Sequence, residues 1–321
     1  MEKTKIGIPR GMLYYEFYPI WEEYFRSFNY EIISSPLTNK EILNKGIMAC
    51  VDEACLPVKT FHGHVEYLKD KVDYILIPKI ISLYKKEYCC PKILGLPDMI
   101  KHNIKDLPDI IDTKIDLGKR TGFKNSLKDI ENNLKLKKIS NYNNYKNLGK
   151  NTHEHLEWLK TEVLEDIYID SSQDNINLLI LGHSYNIFDE FLNMNILKKM
   201  KEKNIHIRII EEVSEEKIRY YSDLIPKRMF WTHGRRIVGG AYALMHEEKI
   251  DGIIYLNSFG CGLDSVLAYL VNRKANENHI PIMELTLDEQ TGEAGFNTRL
   301  EAFLDMMEWR NKSEDNISAS R

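Results

Sequence analysis

The sequence predicts an α/β protein of two lobes, each an open and mostly parallel sheet, with a helical insertion between them. Three observations carry this prediction. The chain has 321 residues and 37.7 kDa, about twice the usual size of one domain. Strand-length apolar runs alternate with helix-length amphipathic segments, the pattern of a parallel sheet with helical crossovers. That alternation stops in the middle of the chain and then restarts. The boundaries read as residues 1–117 for the first lobe, 118–174 for the connector and 175–310 for the second lobe, with 311–321 as a polar, disordered tail.

In the first lobe, Lys5 to Pro9 reads as a short buried strand ending at Pro9-Arg10-Gly11. Tyr14, Phe17, Trp21 and Phe25 follow at helical spacing. Residues 30–34 form a second strand. Thr38 and Glu41 stand at capping-box spacing before a helix carrying Leu43, Ile47 and Val51. Val58, Phe61, Val65 and Leu68 mark one face of another helix. The run from Asp73 to Ile81 is almost continuously apolar, as in a strand buried on both faces.

The stretch 118–160 differs in kind. It holds eight asparagines and ten Lys/Arg against four Asp/Glu, which reads as a solvated basic arm. Beyond it come strands at 177–181 and 205–210, a helix over 236–246, and strands at 252–256 and 280–285. Thr298 and Glu301 are read as opening a closing helix with an apolar stripe of Leu300, Phe303, Leu304 and Met307.

Composition excludes several classes of function. Apolar residues make up 43% and charged residues 29%, and the net charge is 44 − 48 = −4. This is an ordinary globular balance, with no global attraction to nucleic acid or an anionic membrane. Neither a signal peptide nor an apolar run of bilayer length is visible, so the expected location is the cytoplasm.

Five cysteines, Cys50, Cys55, Cys89, Cys90 and Cys261, are an odd number, which argues for reduced thiols rather than a disulfide framework. The ordinary reading of any one of them is a small core residue. Their settings change that for three. Cys55 precedes Leu56-Pro57, a helix start, where free amides and the dipole should lower a thiol pKa. Cys90 precedes Pro91. Cys261 lies between Gly260 and Gly262, which let the backbone approach a bulky ligand. All three fall at or beyond the carboxyl ends of predicted strands, where open α/β sheets bind ligands, so they could meet in the crevice between the lobes. Their spacings of 35 and 171 residues match neither a zinc ribbon nor a ferredoxin run. Cys89 should point away from its neighbour Cys90, and Cys50 reads as a buried helix residue.

These motifs carry a resemblance. Ile6-Gly-Ile-Pro-Arg-Gly-Met-Leu-Tyr-Tyr15, Val51-Asp-Glu-Ala-Cys-Leu-Pro-Val-Lys59 with His62-Gly-His64, and Glu87-Tyr-Cys-Cys-Pro-Lys92 form one set. Gly182-His-Ser-Tyr-Asn186, Asn257-Ser-Phe-Gly-Cys-Gly-Leu-Asp264 and Asp288-Glu-Gln-Thr-Gly-Glu-Ala-Gly295 form another. Together they resemble the acyl-CoA dehydratase activase-related proteins of the 2-hydroxyacyl-CoA dehydratase superfamily. The resemblance implies Rossmann-like lobes around an iron–sulfur cluster, with Cys55, Cys90 and Cys261 as its ligands and Gly260 and Gly262 beside it. Three thiolates on a 4Fe-4S cluster leave one iron open. Some relatives carry a double-cubane centre. That would need six terminal thiolates, so with five cysteines it would have to be shared between chains.

The function so implied is low-potential electron transfer in an oxygen-sensitive protein. Electrons would come from an ATP-dependent activase, and a small substrate would be reduced or dehydrated at the open iron. This chain shows no phosphate-binding loop of its own. The partners implied are that activase and either a second copy (homodimer) or a related subunit (heterodimer). Two other readings stand beside this one. One is a cluster carrier or accessory subunit without turnover. The other is structural zinc, which needs a fourth ligand such as Cys89 or a histidine. Glu53 and His183 are the candidate acid–base residues. Glu53 has the rival role of a helix-start charge. His62 and His64, two apart on a helix, face different ways and do not suit a joint site. Arg10-Gly11 could hold an anion or simply turn the chain. The acids of 288–295 could line the crevice.

Overall fold

In a computed structural model, residues 3–119, 121–136, 153–164 and 176–318 are described. The first lobe runs β1 (Lys5–Ile8), α1 (Tyr14–Arg26), β2 (Glu31–Ser34), α2 (Lys40–Ala49), α3 (Leu56–Leu68), β3 (Tyr74–Leu76), β4 (Lys79–Ser82), α4 (Pro91–Leu94), α5 (Leu96–Asn103), β5 (Asp109–Ile111) and β6 (Lys114–Asp116). Two helices follow, α6 (Gly122–Asn133) and α7 (His153–Trp158). The second lobe contains β7 (Asn177–Gly182), α8 (Ser184–Ile187), α9 (Ile196–Glu202), β8 (His206–Ile209), α10 (Glu215–Ser222), α11 (Thr232–Glu247), β9 (Gly252–Ser258), α12 (Gly262–Glu277), β10 (Ile282–Leu287) and α13 (Glu293–Ser318).

The strands form two parallel sheets, ordered β2-β1-β3-β5 and β10-β9-β7-β8, and a parallel pair β4-β6. The architecture is Rossmann-like, as expected. Helices α6 and α7 fall in the stretch read as the connector. Residues 120, 137–152 and 165–175 of it lie outside the described residues.

Three local expectations are corrected. The single strand expected over 73–81 is two strands in two sheets. Pro78 has no N–H to give a ladder, so Ile77 donates to Ile111 and Lys79 to Thr113 on either side of the break. Thr38 does not cap α2; the Asn39 side chain accepts the Ile42 N–H instead. Helix α13 opens at Glu293 and continues through Ser318, so Thr298 lies inside it, donating to the Ala294 carbonyl at 3.0 Å, and 311–318 are helical rather than a tail.

Strand alternation distributes the core. Leu178 and Ile180 of β7 face one buried cluster and Leu179 and Leu181 face another. The first cluster is continuous through both lobes, from Ile6 and Tyr24 to Leu256, Leu300 and Leu304. The second lies under α10, α11 and α12.

Helices α2 and α3 cross at two glycines. A Cβ added at Gly63 would stand 1.9 Å from the Ile42 carbonyl oxygen, and one at Gly46 would stand 1.9 Å from that of Lys59. Gly63→Ala should therefore lower stability by about 1–3 kcal/mol through backbone displacement. Gly262→Ala, whose Cβ would meet nothing within 4 Å, is the control, and urea unfolding compares the two.

Candidate metal centre between the lobes

Cys55, Cys90 and Cys261 occupy the same structural position three times: each is the N-cap residue of a helix, α3, α4 and α12 respectively. Proline within the first turn sets the start of α3 and α4, and Gly262 opens α12. None of the three side chains caps its own helix. The fold brings the three thiols within electrostatic reach of one another. Burial pushes the Cys55 thiol up to about 11. Lys92 opposes the rise, and Cys261 and Cys90 add to it. This reverses the lowered pKa expected from the helix start, because desolvation and two neighbouring thiols outweigh the dipole.

Gly260 has φ +77°, a left-handed conformation suited to glycine, and its α-carbon side faces Cys55, with an added Cβ 3.6 Å from the Cys55 Cα. Gly262 is exposed with open space beside it. Lys92 Nζ donates to the Gly260 carbonyl at 3.4 Å, joining the two lobes at the mouth.

Behind Cys261 lies a buried acid–base pair. His183 Nε2 stands 3.3 Å from Asp264 Oδ1. Asp264 also accepts the Ser258 N–H at 3.1 Å and the Tyr255 hydroxyl at 3.3 Å. Burial alone would lower the His183 pKa, but Asp264 and Cys261 raise it to about 10. The pair opposes burial in Asp264 too, holding its carboxyl below the usual range. The His183 ring stacks on Tyr185 at 4.9 Å. Burial, then Asp264 and the three thiols, drives the Tyr185 hydroxyl well above its ordinary pKa. His183, Cys261 and Asp264 have ligand atoms within 4.8 Å of one another. Sequence reading missed Asp264, although its place three residues after Cys261, at N3 of α12, was the available signal.

The other candidates are distributed as follows. Glu53 is exposed in the turn before Cys55. Cys89 is buried, its thiol pushed up by burial and by Glu16, Cys90 and Glu87. Cys50 is the C-cap of α2 and half-buried rather than a buried mid-helix residue. His62 Nδ1 meets the Val58 carbonyl (2.8 Å) and Nε2 meets Asn103 (3.2 Å), which places the proton on Nδ1. His64 Nε2 meets Thr38 Oγ1 at 3.0 Å, and that hydroxyl donates to Asp189 across the lobes. Arg10 is turned to Ser35, with its guanidinium over the Tyr14 ring. Glu289 in the 288–295 loop is committed to buried Lys59 at 2.7 Å.

A second buried group sits beside His183. Glu16 of α1 accepts from Ser184 at 3.0 Å and lies 3.3 Å from His233 Nε2 and 3.4 Å from Arg236 Nη1. Burial would raise this carboxyl; His233, Arg236 and Ser184 overcome it and hold it at about 2. The His233 ring meets that of His183 edge to face at 5.7 Å.

The donor set fits a cluster of thiophilic metal. A thiophilic metal binds thiolates and removes their protons outright, which would overcome the burial that raises the Cys55 thiol. Beside Cys90 and Gly262 a groove of about 640 Å³ runs between α4, residues 225–231 and α12.

Residues 5–213 match the family model described as "CoA enzyme activase uncharacterised domain (DUF2229)". Residues 201–307 match "2-hydroxyglutaryl-CoA dehydratase, D-component". No curated protein matches the chain. Among solved structures, an NtrC family transcriptional regulator from Clostridium acetobutylicum aligns at 11% identity over 97% of this chain and 100% of that chain, with a TM-score of 0.20, a likeness too slight to bear on fold or function.

Proposed function

The chain belongs to the activase-related branch of the 2-hydroxyacyl-CoA dehydratase superfamily, and from that premise we propose that it is an iron–sulfur electron-transfer protein whose cluster is held by Cys55, Cys90 and Cys261. The observation that supports this most is the convergence of three N-cap cysteines, drawn from both lobes, near enough to perturb one another. A cluster bound there would supply single low-potential electrons and one iron without a protein thiolate, at which a small substrate would be reduced or dehydrated. The chain's own residues prepare that place. Helix N-termini and Lys92 offset the negative charge of the thiolates. His183, held protonated by Asp264, places a positive ring against Cys261 and keeps a proton close to the mouth. Electrons come from an ATP-dependent activase.

One observation favours a second reading. His183, Cys261 and Asp264 together have the donor types and proximity of a single-ion site, zinc included. Against it, Asp264 is already engaged by Ser258, Tyr255 and His183.

Anaerobic purification with iron, acid-labile sulfide and zinc assays separates the two. The expected result is brown protein with about four irons per chain, lost in Cys261→Ala and retained in Cys89→Ala. Colourless protein that cannot be reconstituted with iron and sulfide overturns the proposal. One zinc per chain, lost in Asp264→Ala, selects the second reading.

A further inference from the structure

The groove of about 640 Å³ beside Cys90 has the size of a small-molecule site. Met229, Phe230, Trp231, Leu263, Val266 and Leu270 make its walls. The Phe230 and Trp231 rings lie 4.6 Å apart, tilted at 42°. This aromatic wall is preformed. The Tyr88 N–H donates to the Phe230 carbonyl at 2.8 Å and the Thr232 N–H to the Tyr88 carbonyl at 3.0 Å, which stitches residues 230–232 to the first lobe. Among the described residues the charged lining groups are Lys92, Lys227 and Arg228, all of one sign, and no Ser, Thr, Asn, Gln, Asp or Glu side chain lines the groove.

Neighbouring carboxylates do not neutralise these cations. Among the described residues Lys227 pairs with no carboxylate, and Lys92 meets the Gly260 carbonyl and no carboxylate. Arg228 Nη2 is 4.0 Å from Glu87, but Glu87 is also 2.8 Å from Arg235 Nε. Arg235 in turn shares Glu215 with Arg219. Three guanidiniums thus stand against two carboxylates, a surplus of 3 − 2 = +1, and Lys92 and Lys227 bring it to +3.

We propose that this groove binds a free organic acid, a single carboxylate on an aromatic or similarly bulky apolar body. Lys227 and Arg228, adjacent in the chain, hold the carboxylate, and Phe230, Trp231 and Leu263 take the body. A neutral apolar molecule would leave the surplus charge unanswered. A nucleotide would bring ribose hydroxyls and base edges against walls with no hydroxyl, amide or carboxylate side chain to pair with them. That separates this site from one built around the nucleotide end of coenzyme A. Cys90 lines the groove, so a bound acid lies next to the candidate centre and occupies one approach to it. The site stands whether or not Cys90 holds a metal.

Isothermal titration calorimetry on the full chain as purified, with iron assayed separately, tests this with 4-phenylbutanoate as the probe. Saturable binding at one site per chain is expected. Both 4-phenylbutanamide, which lacks the charge, and acetate, which lacks the body, should bind at least about tenfold more weakly. Lys227→Ala, Arg228→Ala and Val266→Asp, all at exposed positions, should each weaken binding by about five- to tenfold. Cys90→Ala should still bind the probe, so that loss of iron and loss of the acid site are read apart. Absence of saturable binding below about 10 mM overturns the proposal. So does an amide that binds as well as the acid, coenzyme A competing as strongly as 4-phenylbutanoate, or affinity unchanged in all three groove variants. Circular dichroism of each variant confirms that the fold is intact.

Discussion

Glu16→Ala is expected to destabilise the protein by about 3–5 kcal/mol, the cost of leaving the buried Arg236 charge uncompensated. Glu16 comes from α1, and its partners His233 and Arg236 come from α11. All three are at most 6% exposed. Urea unfolding at pH 7 measures the loss, and Glu16→Gln, which retains the shape and a hydrogen bond with Ser184, tests whether the charge is responsible. If Glu16→Gln is as stable as wild type, shape rather than charge holds the contact. The pH dependence follows from the direction of the shift. The folded pKa of about 2 lies below the ordinary 4.5. The stabilisation is therefore complete above pH 4.5 and is lost as the pH falls toward 2.

Asp264→Asn should act with similar size and opposite pH sense. Without the carboxylate, burial prevails and His183 becomes a neutral imidazole at pH 7. In the metal-free wild type, the His183 pKa is raised from 6.5 to about 10. Its contribution is then fully present below pH 6.5 and fades as the pH rises through 10. The variant should lose this alkaline slope, together with about 3–5 kcal/mol at pH 7. Titration of the His183 ring by NMR, alongside unfolding from pH 6 to 10, checks both. A His183 still protonated at pH 8 in Asp264→Asn would show that Asp264 is not what holds the proton.

The fold was legible because its main signals are local. Strand-length runs such as Leu178 to Leu181, and stripes such as Leu300, Phe303, Leu304 and Met307, declare which face is buried. The same locality explains the errors. Pro78 ends a strand in the middle of an apolar run whose hydropathy does not change. Thr38 has the spacing of a cap, but its hydroxyl is taken by His64 and Asp189, and Asp189 is 151 residues away in sequence. At the candidate centre, proline and glycine marked the three cysteines as helix starts. The rise in the Cys55 pKa was not readable, because it depends on how deeply the fold buries the thiol and on two others brought from distant segments. Glu16 had no signal at all: it sits at helical spacing among aromatic residues and becomes significant only when α11 is laid against it.

The core cluster that runs unbroken from Ile6 through Leu256 to Leu304 bears on how anything reaches the thiols. Two bodies joined by a thin linker can rock apart and admit a reactant between them. Here apolar side chains of both halves are packed into one mass, and prising them apart would wet much of it at a cost comparable to denaturation itself. The halves should melt together in a single calorimetric transition. Traffic to Cys55, Cys90 and Cys261 would then be set by the few groups at the entrance, Lys92 foremost, and the gate would be a side chain rather than a domain.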